Sequence, residues 1–540
     1  MGGWQPAGGA RIVAAASACR FADQQTIGKI NLAFSSPAAV VVLAAGEGTR
    51  MRSATPKPLH CIAGRSLLAH ALTAAAHLEP EHIVVVVRHG RDEVAKAARG
   101  IVPGVLIVDQ DAIPGTGRAV QCAVSALDAA TLDADDAAPH HPPLPSGDIV
   151  VIPADAPLLD GAVLAQLREA HRQQANAITL LTAQVDDPTG YGRIVRDATS
   201  GGVLRIVEER DGDGAVRAIG EVNSSVYVFD LGVLRDCLAR LGRDNAQGEV
   251  YLTDTIECAR SSGGAVGAVV SDDPFVARGV NDRIQLSELG FELNRRIVRA
   301  AMAAGVSVMD PASTWIDLDV ALAPDVTLLP GCQIQAGSSI DAGAVIGPGT
   351  TLIRTHVGQG AVVNRVHAVE AQIGPGAMVG PFTHLRPGTV LGVKAKAGSF
   401  VEMKAAEVGD GAKVPHLSYV GDATVGEGAN IGAATIFANY DGVTKSRTVV
   451  GPHARIGSDT VLVAPVTVGP GAYTGAGAVI RRNVPPGALA YSEQRQRVAE
   501  GWVAAKRPGS TADVAAQQTI SPQDDPLTPN DNHATKGPPS

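Results

Sequence analysis

Residues 327 to 352 read TLLPGCQIQAGSSIDAGAVIGPGTTL, and an aliphatic residue returns at every sixth position of this stretch. The recurring residues are Leu328, Ile334, Ile340, Ile346 and Leu352, with Gly, Ala and Pro crowding the positions between them. A six-residue period fits neither an α-helix nor a β-sandwich. It is typical of a parallel β-helix, in which each short strand points one aliphatic side chain inward and small residues turn the corners. The C-terminal half is therefore predicted to be a β-helix.

The same period extends on both sides of this stretch. It begins at Ile316 and Leu322, and it returns after interruptions at Ile373, Val379, Leu385, Leu391, Val408, Val414, Val420, Val450, Ile456, Leu462 and Val468. A solenoid of this kind has flat outer faces that can pack side by side. We therefore expect a symmetric oligomer.

The N-terminal half has a different pattern, in which Val- and Ile-rich runs alternate with helical segments. HIVVVV (82–87) and DIVVIPAD (148–155) are typical of buried strands, whereas residues 66–78 and 161–174 have helical spacing. This alternation predicts a mostly parallel sheet with helices on both faces. Ligands of such sheets bind at the carboxyl ends of the strands.

A glycine-rich loop follows the first of these strands, in VVVLAAGEGTRMRSATPKPLH (40–60). Gly46 and Gly48 leave the backbone N–H groups open to close approach by a phosphate. Arg50 and Lys57 would add fixed positive charge. The loop predicts a nucleotide site, although an ordinary tight turn is an equally common origin of such a loop.

Composition and charge limit the classes of function. The chain has 540 residues, a formal net charge of −9, 45% hydrophobic residues and only 3% aromatic residues, so its cores are aliphatic. The negative charge argues against nucleic-acid binding and against anionic membranes. The scattered cysteines (Cys19, Cys61, Cys122, Cys237, Cys258 and Cys332) and the lack of a long apolar stretch predict a cytoplasmic protein without disulfides or zinc.

The domain organisation follows from these patterns. Leu286, Leu289, Leu293 and Ile297 lie on one face of a helix that joins the two halves. We expect a disordered extension over 1–37, an α/β domain with the nucleotide site over 38–281, a helical linker over 282–312, a β-helix over 313–501 and a disordered tail over 502–540.

Two motif sets together carry a family resemblance. LAAGEGTRM and PKPLH precede a hexapeptide region that contains PFTHLRPG, FVEMK, VPHLSYVGDA and IFANYDG. The chain resembles the bifunctional bacterial N-acetylglucosamine-1-phosphate uridyltransferase/glucosamine-1-phosphate acetyltransferase family over residues 38–502. The resemblance implies a Rossmann-like α/β domain followed by a left-handed parallel β-helix that forms a homotrimer. It also implies synthesis of UDP-N-acetylglucosamine for the bacterial cell wall.

For the N-terminal half, the resemblance implies a site for UTP and N-acetylglucosamine-1-phosphate. Asp155 and Asn281 would hold Mg²⁺, and hard oxygen ligands suit that ion. The implied contacts to UTP and the UDP-sugar are Leu43, Ala44, Ala45, Gly46, Arg50, Lys57, Gln110, Gly115, Thr116, Gly192, Glu208, Asn223 and Asn281. Taken alone, Asp155 could equally be a turn residue at a strand end, and Glu208 and Asn223 could be surface residues.

For the C-terminal half, the resemblance implies transfer of an acetyl group from acetyl-CoA to glucosamine-1-phosphate. His416 would be the general base, because an imidazole can accept a proton near neutral pH. Glu402 is a candidate to orient it. The implied sugar-phosphate contacts are Arg386, Lys404, Tyr419 and Asn430, and the implied acetyl-CoA contacts are Ala433, Asn439, Tyr440, Ser458 and Ala476.

Some positions depart from the family pattern, and other functions remain open. Ala154 stands where glycine is usual, and Ser224 and Ser225 stand where smaller residues are usual, so both could tighten the sugar pocket. A late arginine of the family falls near Glu493. The alternatives are a single-activity enzyme with one degenerate half, a non-catalytic trimer that binds UDP-sugars, and a nucleotidyltransferase for another sugar or nucleotide.

Overall fold

The computed structural model describes residues 36–129, 146–493 and 496–519. Almost all of the predicted N-terminal extension and residues 520–540 of the predicted tail lie outside these ranges. Cysteines 61, 122, 237, 258 and 332 carry free thiols. None of the helices in these ranges is long and apolar enough to cross a bilayer.

The N-terminal half alternates strands with helices, as its sequence predicts. Its elements are β1 (Ala39–Leu43), β2 (Cys61–Ile62), β3 (Arg65–Ser66), α1 (Leu67–Ala76), β4 (His82–Val87), α2 (Arg91–Ile101), β5 (Leu106–Asp109), α3 (Thr116–Ala129), β6 (Asp148–Pro153), α4 (Gly161–Gln173), β7 (Ile178–Gln184), β8 (Arg193–Arg196), β9 (Val203–Val207), α5 (Gly214–Arg217), β10 (Glu221–Asp230), α6 (Leu231–Leu238), α7 (Thr255–Ser261) and β11 (Val266–Ser271), with 3-10 turns at Thr49–Met51, Lys57–Leu59, Leu252–Asp254 and Pro274–Ala277.

One twisted sheet organises this half. Its order is β11-β7-β10-β6-β1-β4-β5, and β8 and β9 extend it beside β10. β1 pairs in parallel with β4 and β6, whereas β10 runs antiparallel between β6 and β7. Along β1, Val41 faces one apolar core and Val40 and Val42 face the other, because successive side chains of a strand point to opposite faces. The carboxyl ends of β1, β4 and β6 therefore meet at one edge.

The predicted linker is the helix α8 (Arg283–Ala303). Leu289 is buried in a core of the N-terminal half, whereas Val298 and Ala301 are buried in the core of the β-helix. The side chain of Asn294 donates to the carbonyl oxygen of Thr314 at 2.8 Å and accepts from the N–H of Ile316 at 3.0 Å. The helix is thus packed and hydrogen-bonded to the first coil.

The C-terminal half is the predicted left-handed parallel β-helix. Its strands are Ser307–Val308, Trp315–Ile316, Ala321–Leu322, Thr327–Leu328, Gln333–Ile334, Ser339–Ile340, Val345–Ile346, Thr351–Ile353, His356–Val357, Val362–Val363, Val366–Val369, Gln372–Ile373, Met378–Val379, Thr383–Leu385, Val390–Leu391, Lys396–Ser399, Glu402–Val408, Lys413–His416, Tyr419–Val425, Asn430–Ile431, Ile436–Ala438, Thr448–Val450, Arg455–Ile456, Val461–Val463, Val466–Val468, Tyr473–Thr474, Val479–Ile480 and Leu489–Ala490.

Stacked coils explain the six-residue period. Trp315 pairs in parallel with Gln333, and Gln333 pairs with Thr351, so three hexapeptides make one turn. The recurring aliphatic residues are buried in one continuous core, except that Leu322 is half-buried against it. Ser307–Val308 already pairs with the coil above, so the β-helix begins inside the segment predicted as linker.

The described residues after Ala490 form a unit of their own. Within its described part are α9 (Trp502–Lys506) and α10 (Thr511–Thr519). The sequence predicts no regular structure there, because Pro, Ser, Asp and Gln dominate the composition of the whole tail. The helices occupy its Ala-rich portion, which that average conceals.

Candidate active sites

The glycine loop lies at the carboxyl end of β1, at the edge of the sheet. The N–H of Ala44 still donates to the carbonyl oxygen of Val86 at 2.9 Å, and then the chain leaves the sheet. Gly48 has a φ of +67°, and a Cβ atom there would lie 2.6 Å from Cβ of Lys57. Only glycine combines this backbone conformation with such close packing. The loop therefore sets the position of the Lys57 side chain.

Lys57 joins two oxygen-bearing side chains from distant parts of the chain. Its Nζ forms an ion pair with Asp155 Oδ2 and donates to Asn281 Oδ1 at 3.1 Å. Asp155 follows β6, and its carbonyl oxygen accepts the N–H of Val280 at 2.9 Å. The structure thus brings these three predicted residues together, with an ammonium group between two oxygens.

A cleft of about 450 Å³ opens beside this cluster. Gln110 lines this cleft, and its Nε2 donates to the carbonyl oxygens of Ile113 at 2.9 Å and Gly115 at 3.1 Å. Predicted residues that line the cleft are Leu43, Ala44, Ala45, Gly46, Lys57, Gln110, Gly115, Thr116 and Asp155. The cleft is therefore lined by small residues together with charged side chains.

The cleft also differs from the prediction. Arg50 lies on the exposed turn Thr49–Met51 and is not among the residues that line the cleft. Glu47, Arg88, His89 and Glu249 do line it, although the sequence analysis assigns them no role. Arg88 and His89 follow β4, so the rule that ligands bind at the carboxyl ends of parallel strands could have found them.

A second group of predicted residues gathers around β8 and β10. The N–H of Asn223 donates to the carbonyl oxygen of Gly192 at 2.9 Å, and a Cβ atom on Gly192 would lie 3.5 Å from Glu208 Oε2. Asn223 Nδ2 donates to the hydroxyl of Tyr227 at 2.7 Å, and the Thr253 hydroxyl donates to Glu208 Oε1 at 3.2 Å. Gly192, Glu208 and Asn223 are therefore neighbours, and none of the three is a free surface residue.

Glu208 is electrostatically strained in this position. Burial raises the pKa of its carboxyl group, and the nearby carboxylates of Asp211, Asp254 and Glu249 raise it further, against the hydrogen bond from Thr253. Such a group interacts strongly with any hydrogen-bond donor that a ligand presents to it.

The residues that depart from the family pattern have local structural roles. Ala154 is buried, and its N–H donates to the carbonyl oxygen of Leu43 at 3.0 Å. Ser224 Oγ donates to the carbonyl oxygen of Leu181 at 2.7 Å, within an irregularity of β10. Ser225 has a φ of +60° and lines the cleft. The left-handed conformation at Ser225 explains why glycine suits this position.

In the β-helix, His416 is exposed at the end of the strand Lys413–His416. Its carbonyl oxygen accepts the N–H of Ala434 at 3.2 Å. In the same way, the carbonyl oxygen of Ala433 accepts the N–H of Asp459, and the carbonyl oxygen of Ser458 accepts the N–H of Gly477. These bonds stack successive coils at one edge of the solenoid. A column of small residues therefore runs along this edge, with the imidazole of His416 at one end. The small residues are Ala433, Ser458 and Ala476.

Two of the predicted sugar-phosphate residues, Lys404 and Tyr419, lie on a different sheet from His416. Lys404 Nζ is 3.8 Å from Asp422 Oδ2, and Asn439 Nδ2 donates to the same carboxylate oxygen. A Cβ atom on Gly421 would lie 2.4 Å from the Tyr419 hydroxyl and 2.7 Å from Asn439 Nδ2. Lys404 and Asn439 thus converge on Asp422, for which the sequence motifs predict no role, and the Tyr419 hydroxyl lies near the Asn439 amide.

The Glu402 carboxylate is bonded to an arginine. Its Oε1 accepts from Arg386 Nη1 at 3.0 Å, and its strand belongs to a different sheet from that of His416. The orientation of the His416 imidazole by Glu402 remains a prediction. Asn430 lies on the His416 sheet, where it pairs with Lys413, and Tyr440 is exposed in the loop that interrupts the hexapeptide register.

Comparison with known proteins gives a consistent match to both halves. Residues 40–222 match the MobA-like NTP transferase domain, and residues 447–482 match the bacterial transferase hexapeptide family. Proteins named "Bifunctional protein GlmU" are similar over nearly the whole chain. The one from Kineococcus radiotolerans is 56% identical and that from Mycolicibacterium gilvum 54%, each over 89% of this chain and 95% of the relative. The one from Corynebacterium glutamicum is 52% identical over 90% of this chain and 97% of the relative.

Proposed function

The chain belongs to the bifunctional GlmU family, and on that premise we propose how its residues divide the work of making UDP-N-acetylglucosamine. It is a nucleotidyltransferase and an acetyltransferase in one polypeptide. The alignments cover 95–97% of the relatives' own length. This coverage favours a bifunctional enzyme over an enzyme with one degenerate half and over a trimer that only binds UDP-sugars. Nucleotide and acetyl-CoA are its co-substrates.

In the N-terminal cleft, an oxygen of N-acetylglucosamine-1-phosphate attacks the α-phosphorus of UTP, and the bond to pyrophosphate breaks. The backbone of Leu43–Gly46 and the ammonium group of Lys57 hold the triphosphate, and Gln110, Gly115 and Thr116 hold the uracil. Gly192, Glu208 and Asn223 hold the sugar. Because the reaction brings anions together, positioning and fixed positive charge carry most of the catalysis.

Asp155 and Asn281 are the residues that would hold Mg²⁺. In support, Asp155 Oδ2 and Asn281 Oδ1 both contact the Lys57 ammonium group, so the two hard oxygens already share one cation. Groups of three or more His, Cys, Asp or Glu side chains suited to a metal do not occur among the described residues, which agrees with a site completed by phosphate and water. When bound, Mg²⁺ supplies positive charge that offsets the negative charge of the phosphates.

On the β-helix, His416 accepts a proton from the amino nitrogen of glucosamine-1-phosphate as that nitrogen attacks the thioester carbonyl of acetyl-CoA. The new N–C bond forms and the C–S bond breaks, so CoA leaves. The column Ala433–Ser458–Ala476 supports a path for the pantetheine arm that ends at His416. Arg386, Lys404 and Tyr419 carry the groups suited to the sugar phosphate.

We place the active form as a homotrimer in the cytoplasm. Phe382 and Phe400 stack at 5.2 Å between ring centroids along an exposed corner, and Leu417 continues this corner next to His416. An exposed apolar ladder beside a catalytic base favours a second copy that covers it. Hexapeptide proteins have flat faces suited to such packing. Sedimentation of the protein before and after Phe400→Asp tests the oligomer, which we expect to dissociate.

The observation that carries the proposal is the shared contact of Lys57 with Asp155 and Asn281. To test it, pyrophosphate release from UTP and N-acetylglucosamine-1-phosphate is measured alongside CoA release from acetyl-CoA and glucosamine-1-phosphate. Asp155→Ala should abolish the first activity and spare the second, and His416→Ala should do the reverse. Retention of pyrophosphate release in Asp155→Ala would refute the assignment of that residue.

A further inference from the structure

The first turn of α8 contacts the N-terminal site from outside the cleft. Asn281 immediately precedes the N-cap residue Asp282, whose Oδ1 accepts the N–H groups of Ile284 at 2.9 Å and Gln285 at 2.8 Å. Gln285 reaches back, and its side-chain Oε1 accepts the backbone N–H of Asn281 at 2.8 Å. This reciprocal arrangement has the form of a capping box, shifted to include the residue before the cap.

Asn281 is therefore hydrogen-bonded through both its side chain and its backbone. Its side-chain oxygen accepts from Lys57 at 3.1 Å, and its backbone N–H is bound by Gln285. The preceding N–H, of Val280, donates to the carbonyl oxygen of Asp155. Neither Gln285 nor Asn281 is among the described residues that line the cleft, whereas Lys57 is, so an effect of Gln285 on the site must pass through Asn281 to Lys57.

The same turn also touches the glycine loop. Arg283 Nε donates to the carbonyl oxygen of Met51 at 3.2 Å, and Met51 is the buried residue that ends the turn after Gly48. The first turn of α8 thus bonds to the loop and to Asn281, which lie on different parts of the chain. Further along, Asn294 fixes the helix to the β-helix.

We propose that Gln285 is a positioning residue for uridylyl transfer, because it orients Asn281 through the backbone N–H of that residue. This inference rests on the proposed role of Asn281. Partners that orient a metal ligand commonly affect affinity or activity about 10- to 100-fold. The contact here is with the backbone of the ligand residue, so we expect the lower end of that range.

Two substitutions separate the hydrogen bond from the volume of the side chain. Gln285→Met keeps the length but removes the amide oxygen, whereas Gln285→Glu keeps an acceptor. Ile284→Met is the matched control, because Ile284 lies in the same turn and is 71% exposed. The same chain supplies an internal control for folding, since CoA release depends on the β-helix.

The first readout needs no metal and no turnover. In hydrogen–deuterium exchange, the segment that contains Asn281 should exchange faster in Gln285→Met than in wild type, and at the wild-type rate in Gln285→Glu and Ile284→Met. The second readout is the Mg²⁺ concentration for half-maximal pyrophosphate release. It should rise about tenfold in Gln285→Met, with CoA release unchanged.

Failure of this inference is distinct from failure of the proposed function. If Asn281→Ala raises the Mg²⁺ requirement and Gln285→Met does not, only the positioning role is overturned. If Asn281→Ala leaves the Mg²⁺ requirement unchanged, the assignment of Asn281 itself is wrong. An equal loss of both activities in Gln285→Met would also overturn the positioning role, because that role acts on one site.

Discussion

The two candidate sites are built in different ways on one chain. In the N-terminal half, Lys57, Asp155 and Asn281 come from distant positions, and the last two both bond to Lys57 at the side of a cleft. On the β-helix, His416 is exposed, and the groups predicted to serve it are spread over two faces. A sheet gathers residues at the ends of its strands, whereas a solenoid displays them at the spacing of its coils. The first site is assembled within one chain, and the second is open to a neighbouring molecule.

We expect the largest effect from removal of the Lys57 ammonium group, which contacts both Asp155 and Asn281. Lys57→Ala should lower pyrophosphate release about 10³-fold, because a fixed positive charge at the phosphates is lost. It should leave CoA release unchanged, because the β-helix has its own site. Lys96→Ala, on the exposed face of α2, is the control. A comparable loss of both activities would show that the sites are not independent.

Next in size is the effect of a cavity in the solenoid core. Ile346 is fully buried, so Ile346→Ala should lower the free energy of unfolding of the β-helix by about 3 kcal/mol. Calorimetry should show this, and CoA release should be lost at a lower temperature than pyrophosphate release. Val362→Ala, whose side chain is partly exposed, should have little effect. Simultaneous loss of both activities on heating would mean that the two halves unfold together.

A smaller effect tests whether side chains of the candidate site on the β-helix are held in place by one another in the absence of substrate. Asp422 bonds to Asn439 and lies 3.8 Å from Lys404, so Asp422→Ala should release both side chains. We expect the kcat/KM for CoA release to fall about tenfold, since misplaced contact groups reduce the rate. Asp341→Ala, on an early coil, serves as the control. Unchanged kinetics would mean that these side chains are ordered by substrate alone.

The smallest effect concerns the charge buried near the first site. Because the pKa of Glu208 is raised by burial, its ionised form is disfavoured in the folded protein relative to the unfolded chain. Glu208→Gln should therefore raise the melting temperature slightly at pH 8. This gain should decline as the pH falls below the raised pKa, and it should vanish below the ordinary pKa of a glutamate, where the wild-type carboxyl is protonated in both the folded and the unfolded state. A gain that persists in acid would point to packing and not to charge.

Much of the fold follows from local patterns in the sequence. The six-residue period places Ile334, Ile340 and Ile346 in the core because every short strand of the coil has one inward-facing position that an aliphatic side chain fills. The strands that end at Leu43 and Pro153 are read from apolar runs, and their parallel pairing brings Lys57 and Asp155 to one edge. The tail is harder to predict, because the polar composition of the tail as a whole obscures the short helices in its Ala-rich portion.

The candidate site residues can thus largely be predicted from the sequence, because their motifs are local and occur in a recognisable order. The residues that contact them cannot be predicted in this way. Asp422 beside Lys404, Arg386 on Glu402, and Gln285 on Asn281 are contacts set by stacking and by the packing of α8. Sequence determines which groups the chain carries and the period at which they recur. Only the tertiary structure decides which of them meet, because that depends on the register between coils and on the direction in which each strand and helix ends.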